Sequence, residues 1–208
     1  MKYPDDFINK IICGDCLEVM KDIPDESIDL VLTDPPYGIM PVRNFGGGSP
    51  YKKEDMIWDT KIDEKYIKEI LRISKNQIIF GENYYTDMLK PTRCWLIWDK
   101  LNGNNPFADF EMIWTSFKTS CRIFKHQWIG GSITEKIFHP TQKPVKLIER
   151  ILLNYSKETD IIFDPFIGSG TTAIACKQLN RKFIGIEMSS KYCEIANKRL
   201  GATTKQMI

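Results

Sequence analysis

Thr33-Asp34-Pro35-Pro36-Tyr37-Gly38 sets a carboxylate, two prolines and an aromatic ring close together, directly behind the apolar run 28–32. Two successive prolines fix φ and remove two amide donors, so the turn offers carbonyls without competing N–H groups. A rigid, acceptor-only turn of this kind can hold an amino group, with the Asp34 carboxylate taking one hydrogen and the Pro35 carbonyl the other. The exocyclic amine of a purine or cytosine is a poor nucleophile because its lone pair is delocalised into the ring. Accepting both of its hydrogens favours the more tetrahedral nitrogen that forms as a methyl group is attacked. Tyr37 supplies a face on which a flipped base can stack, a contact worth roughly 1 to 3 kcal/mol. Pro and Asp are also common in plain surface turns. What argues for chemistry is the combination of residue types and its pairing with a second motif.

That second motif is Asp164-Pro165-Phe166-Ile167-Gly168-Ser169-Gly170-Thr171-Thr172-Ala173, between the apolar run 160–163 and a helical stretch. Gly168, Gly170 and Ala173 satisfy G-x-G-x-x-G/A, whose glycines permit a tight turn and close backbone approach to a nucleotide-type cofactor. Glu187 ends the next apolar run, where an acidic side chain can accept from ribose hydroxyls. No lysine follows the second glycine, so this is not a P-loop. Alone, the glycine segment and Glu187 equally suit a nicotinamide-dependent oxidoreductase. That alternative leaves Asp34 to Tyr37 without a role.

Strands and helices must position both motifs. Apolar runs at 8–13, 28–33, 77–80, 94–98, 112–115, 160–163 and 182–186 have strand length and β-rich composition. Between them Ile62, Tyr66, Ile67, Ile70 and Leu71 recur at helical spacing, as do Val145, Ile148, Ile151, Leu152 and Tyr155 behind Pro144. Tyr192, Ile195, Ala196 and Leu200 make a third such face, with Ser189 as its expected N-cap. This alternation predicts an α/β fold: a doubly wound, mostly parallel seven-stranded sheet with helices on both faces. Ligands of such sheets sit beyond the carboxyl ends of the strands, where both motifs fall. Residues 1–208 are expected to form a single domain, with strand 8–13 beside strand 182–186 to complete one continuous sheet.

Two stretches break the alternation. Residues 39–60, with Gly46-Gly47-Gly48 and Pro50, read as a long loop. From Lys118 to Lys143 the chain carries Lys118, Arg122, Lys125, Lys136 and Lys143 against Glu135 alone, interleaved with Phe124, His126, Trp128 and Phe138. A basic, aromatic-rich irregular segment suits phosphate contact and base stacking, though a solvated loop has the same charge. The chain as a whole gives no such signal: 29 Lys and Arg against 27 Asp and Glu leave a net charge of +2.

Six cysteines spread through strand-like and helical segments fit reduced thiols. Cys13 and Cys16 form a C-x-x-C without a second pair, so they are expected to be packing residues, and no metal is expected. The N-terminus lacks a long apolar stretch, and no run of about 18 apolar residues occurs, which predicts a soluble, cytoplasmic protein with no membrane partner.

With Asp34-Pro35-Pro36-Tyr37 ahead of Phe166-Ile167-Gly168-Ser169-Gly170, the sequence resembles the DNA methyltransferases that modify adenine N6 or cytosine N4. Within that family it resembles the permuted group in which D-P-P-Y precedes F-x-G-x-G. His139-Pro140-Thr141-Gln142-Lys143-Pro144 is similar to the element that completes the cofactor pocket in this group. Gly14-Asp15-Cys16-Leu17-Glu18 is similar to the element beside the cofactor's adenine. The resemblance covers the chain nearly end to end and implies a Rossmann-like fold with S-adenosylmethionine as cofactor.

The resemblance also implies residue roles. Asp34, Pro35, Pro36 and Tyr37 would be catalytic. Phe166, Gly168, Gly170 and Thr171 would line the methionine side of the cofactor, with Asp34, Asp164 and Ser169 adjoining. Glu187 would bind the ribose, and Met188, Asp15 and Cys16 would surround the adenine. His139, Thr141 and Lys143 would hold the methionine end, Lys143 meeting its carboxylate. In the family, Asp before Pro-Pro is commoner with adenine targets and Ser with cytosine, so adenine N6 is the expected acceptor and cytosine N4 the alternative. The implied partner is double-stranded DNA, read by insertions at 39–60 and 118–138. Contacts are expected from Arg43, Lys52, Lys53, Lys118, Arg122, Lys125 and Trp128. Those insertions are short for the family, which leaves room for recognition shared across a homodimer; a cognate restriction nuclease is not specified. A catalytically silent DNA-binding module is a further alternative, against which the intact acidic and aromatic motif argues.

Overall fold

A computed structural model describes residues 1–39, 59–103, 108–127 and 136–204. Along the chain the elements are β1 (Lys10–Cys13), α1 (Cys16–Met20), β2 (Ile28–Thr33), α2 (Glu64–Ile73), β3 (Ser74–Phe80), a 3-10 turn (Glu82–Tyr84), β4 (Leu96–Asp99), β5 (Phe110–Thr115), β6 (Arg122–Lys125), α3 (Val145–Tyr155), β7 (Ile161–Asp164), α4 (Thr171–Gln178), β8 (Lys182–Glu187) and α5 (Ser190–Ala202). The strands form one sheet in the order β1-β8-β7-β2-β3-β5-β4-β6. Among the described residues, only β5 is antiparallel to its neighbours.

Central strands are nearly continuous in apolar residues because helices cover both of their faces. On β2, Leu30 and Leu32 pack with Ile148 and Ile151 of α3 and Ala173 and Ile174 of α4. Val31 points the other way, into a cluster with Met20 of α1 and Ile70 and Ile73 of α2. Local capping fixes where helices begin. The Asp63 side chain accepts from Lys65 N at 3.0 Å to start α2, and Ser189 caps α5 as its position predicts. Leu71, expected on the buried face of α2, is instead exposed, and Ile73 takes the inward position.

The sheet has eight strands where the sequence predicts seven. The extra one, β6, pairs parallel with β4 at the sheet edge, inside the segment expected to be irregular. One of its four residues is buried: Phe124 is 5% exposed and belongs to the core, while Ile123 is 63% exposed and Arg122 and Lys125 are also exposed. Two charges in four residues hide this one-sided edge strand from a search for apolar runs. Among the described residues, no helix is long and apolar enough to cross a membrane.

Parallel pairing of β1 with β8, expected from the sequence, extends the sheet on one side. The functional consequence lies at the centre, where β2 and β7 are parallel neighbours paired at Leu30 with Ile162 and Val31 with Phe163. From β7 the chain winds through α4 to β8 on one side, and from β2 it proceeds to β3 on the other. A crevice opens where successive connections diverge in this way, beyond the carboxyl ends of the strands.

Gly170 bears on stability here. It has φ +87°, and a Cβ there would lie 3.0 Å from Ala196 Cβ and 3.2 Å from Ala196 Cα on α5. Gly170→Ala should lower unfolding free energy by about 1 to 3 kcal/mol through backbone strain and overpacking, read as a lower urea midpoint.

Candidate active site

Beyond β2 and β7 lies a cavity of about 400 Å³, within the size range of small-ligand sites. The Asp164 carboxylate, at the end of β7, organises its floor. It accepts from Thr33 Oγ1 at 2.7 Å, Thr172 Oγ1 at 2.6 Å and Phe166 N at 3.1 Å. Burial raises its pKa to about 6 against the opposing pull of these donors. Thr33 immediately precedes Asp34, so the same carboxylate fastens the proline turn to the glycine turn.

Glu187, at the end of β8, accepts from Gly168 N at 3.0 Å and Ser189 N at 2.8 Å, which fixes its carboxylate at the cavity wall. Burial pushes its pKa up. Asp15 also lines the cavity while capping α1 through Leu17 N at 2.8 Å. Gln142 ties the 139–144 element down, since its Oε1 accepts from Ser169 Oγ at 2.9 Å and Phe138 N at 3.1 Å. His139 Nδ1 accepts from Thr141 N at 3.3 Å, so the neutral ring carries its proton on Nε2. Burial, assisted by the Lys143 charge, lowers its pKa to about 3.

The proline turn is clamped from three sides. Tyr85 Oη donates to the Pro36 carbonyl at 2.7 Å. Asp59 accepts from Gly38 N at 3.1 Å and Ile39 N at 2.8 Å. Tyr37 stacks on Tyr84 with ring centroids 4.6 Å apart and packs onto Gly81, where any Cβ would overlap its ring.

Tyr37 Oη donates to Asp34 Oδ1, and Lys143 Nζ donates to Asp34 Oδ2. Glu111, from the antiparallel strand β5, sits 3.5 Å from Lys143 Nζ and 2.7 Å from Lys100 Nζ. Burial raises the Asp34 pKa against the attraction of Lys143, and the two carboxylates keep Lys143 protonated despite its burial.

Most of the residues implied for the cofactor line this cavity: Asp15, Cys16, Asp34, His139, Thr141, Lys143, Asp164, Phe166, Gly168, Ser169, Thr171, Glu187 and Met188. Of the others, Gly170 supports the turn from behind; of the residues implied to be catalytic, Asp34 and Pro36 line the cavity, and Pro35 and Tyr37 flank them in the same turn. Lys143, expected to meet a cofactor carboxylate, lines the cavity and pairs with the carboxylates of Asp34 and Glu111. Cys16 is buried, and its thiol is pushed up to about 12 by burial, whereas Cys13 is exposed rather than packed. Lys118, Arg122 and Lys125 are exposed and away from the cavity. Phe124, expected as a stacking aromatic, is a core residue. Arg43, Lys52, Lys53 and Trp128 lie outside the described residues.

The sequence reading missed Glu111, Gly81, Tyr85, Asp59 and the anchoring role of Gln142. Gln142 stands inside a motif already singled out. No local signal marks the other four, which reach the site only through sheet order and loop packing.

Fold and site together define a methyltransferase of the doubly wound α/β class. The chain belongs to the N6/N4 DNA methylase family, which matches residues 78–198. The type II methyltransferase M.HinfI of Haemophilus influenzae is 32% identical across 94% of this chain and 69% of its own length. Among solved structures, M1.HpyAVI in complex with SAM matches at a TM-score of 0.59 and 26% identity, covering 92% of this chain and 98% of that one. The cytosine-N4-specific PvuII DNA methyltransferase shares the fold at a TM-score of 0.63 and 18% identity, over 97% and 98% of the two chains.

Two measurements check this geometry. Gly81→Ala should displace Tyr37 and cost about 1 to 3 kcal/mol of stability, seen as a lowered urea midpoint with altered tyrosine fluorescence. For His139 the folded pKa of about 3 lies below the unfolded value near 6.5. Between those pH values the unfolded chain binds a proton that the folded one refuses, so its contribution to stability falls as pH drops. His139→Gln should therefore lose less stability than the wild type between pH 7 and pH 5 in urea titrations.

Proposed function

We propose that this chain transfers a methyl group from S-adenosylmethionine to N6 of an adenine swung out of double-stranded DNA. The Thr33–Asp164 hydrogen bond carries this reading, because it sets the acceptor carboxylate Asp34 on the wall of the cavity that Phe166, Gly168 and Glu187 also line. The donor set suits the cofactor. Glu187 uses its carboxylate on two backbone N–H groups and retains lone pairs for ribose hydroxyls. Met188, 70% exposed at the cavity mouth, offers a thioether to the adenine face, and Asp15 an acceptor to its amine. Phe166, Gly168 and Thr171 flank the methionine side, with His139 and Thr141 at its end. The SAM complex of the relative M1.HpyAVI supports the choice of cofactor.

Bound there, the cofactor supplies an electrophilic methyl group. Asp34, released from Tyr37 and Lys143, accepts one hydrogen of the target amine, and the Pro35 carbonyl accepts the other. As the new N–C bond forms and the C–S bond breaks, its electron pair leaving with sulfur, the surplus amine proton passes to Asp34 and then to solvent. Burial already raises the affinity of this carboxylate for a proton, which suits it to that step. No covalent enzyme intermediate is required. The base must leave the duplex to reach the cavity, at a cost of a few kcal/mol in lost stacking and pairing. Tyr37 then offers it the ring face that Tyr84 now covers. Exposed Lys118, Arg122 and Lys125 are the described candidates for phosphate contact, and residues 1–208 act as one catalytic domain.

Adenine is preferred over cytosine N4 because Asp, not Ser, stands at position 34. Digesting methylated DNA to nucleosides should yield N6-methyladenine. N4-methylcytosine would overturn the choice of base, and no methylated nucleoside would overturn methyl transfer to DNA. Asp34→Ala should slow transfer by about 100-fold or more while S-adenosylhomocysteine still raises the thermal midpoint and NAD does not.

A further inference from the structure

Both oxygens of Asp34 are engaged by protein donors, Tyr37 Oη on Oδ1 and Lys143 Nζ on Oδ2. An ammonium on Oδ2 obstructs an incoming amine and opposes proton uptake by the carboxylate. Lys143 must therefore give up Asp34 before the reaction proposed above can run, yet a buried ammonium cannot be left without a counter-charge. Glu111 supplies one. Its Oε1 is held by Lys100 at 2.7 Å, while its buried Oε2 has no hydrogen-bond partner among the described residues and stands 3.5 Å from Lys143 Nζ.

We propose that Glu111 is a positioning residue that receives Lys143 from Asp34 when a base enters, freeing the Asp34 carboxylate to bind the amine and take its proton; this rests on the methyl-transfer reading. Lys143 comes within ordinary hydrogen-bond range of Glu111 by a shift of under about 1 Å from 3.5 Å, and clears Asp34 by swinging its ammonium further onto that partner. Lys143 exchanges one buried carboxylate for another and keeps a counter-charge, the freed Asp34 carboxylate is neutralised when it takes the amine proton, and an unsatisfied buried oxygen gains a donor. The Phe80 and Tyr37 rings, with centroids 5.3 and 5.9 Å from Nζ, flank the ammonium by cation–π contact. Lys100 and Lys143 face Glu111 directly, Asp34 and Tyr37 interact with it electrostatically, and His139 in its neutral form adds no charge beside Lys143.

The test is single-turnover methyl transfer to DNA as a function of pH, with S-adenosylhomocysteine binding measured by calorimetry. Glu111→Gln removes the second counter-charge, so Lys143 settles on Asp34. The rate should fall about 10- to 100-fold, and the acid limb should move to lower pH because Asp34 loses a negative neighbour. S-adenosylhomocysteine affinity should stay within about 3-fold, since Glu111 does not line the cofactor cavity. In a Lys143→Met background, Glu111→Gln should cost little more. An unchanged rate, a slower rate with an unmoved acid limb, or a full additional loss in the Lys143→Met background would each overturn the proposal. If Glu111→Gln does not fold, Glu111→Asp decides: an intermediate loss of rate supports the handover, and a wild-type rate refutes it. Failure of the wild type to methylate any DNA would overturn the methyl-transfer reading itself, whereas an active wild type with an indifferent Glu111→Gln overturns only the role of Glu111.

Discussion

The Asp164 carboxylate receives two hydroxyls and an amide from three segments: Thr33 at the end of β2, Thr172 in α4 and Phe166 in the turn between β7 and α4. Each donor compensates part of the cost of burying the group, and none can be withdrawn without leaving a polar atom unsatisfied. The arrangement is possible only because β2 and β7 are parallel neighbours in register, so that two motifs far apart in sequence end side by side. The glycine turn and the proline turn are thereby held at one fixed separation, the quantity on which the proposed in-line transfer between two bound partners depends most steeply.

Around this junction lies a chain of alternating charge, running from Lys100 to Glu111, Lys143 and Asp34. Two cations offset two anions, so the cluster as a whole is neutral. A pairing of this kind contributes little net stability, because desolvation consumes most of the attraction. Its value lies in tuning. Burial raises the proton affinity of Asp34 while Lys143 opposes it, so a small displacement of one ammonium changes the carboxylate from a poor proton acceptor into a good one. Neutral His139, beside Lys143, completes that environment without adding charge.

What the sequence makes legible follows from the range of each interaction. Asp34 to Tyr37 and Asp164 to Thr171 carry their chemistry in consecutive residues, and the apolar runs before them place both at strand ends. Ser189 and Pro144 mark helix starts for the same local reason. Glu111 cannot be found this way. It is one acid in a strand whose reversal and placement between β3 and β4 arise from packing of the whole sheet. Gly81 looks like an ordinary loop glycine until the Tyr37 ring lies against it. Asp59 stands at the end of a stretch expected to read DNA, and there it clamps the proline turn. Within the basic segment the surprise is β6, which turns Phe124 into a core residue while Arg122 and Lys125 stay exposed.

Rigidity of the amine turn then follows from two sources acting together. Pro35 and Pro36 restrict the turn before folding, so less conformational entropy is lost when it is fixed. Tyr85, Asp59 and the Gly81–Tyr37 contact hold it from separate elements after folding. Preorganised acceptors need no reorientation as charge develops on the nitrogen, and in a largely buried site that saves more than it would in water. The parts that move are side chains, Lys143 passing between two carboxylates and the rings of Tyr37 and Tyr84 parting for the base, so the site can combine a stiff backbone frame with a reversible change in charge pairing. Were the turn itself to move, alignment would be lost together with the obstruction. Placing the switch on a side chain of the neighbouring element separates the two.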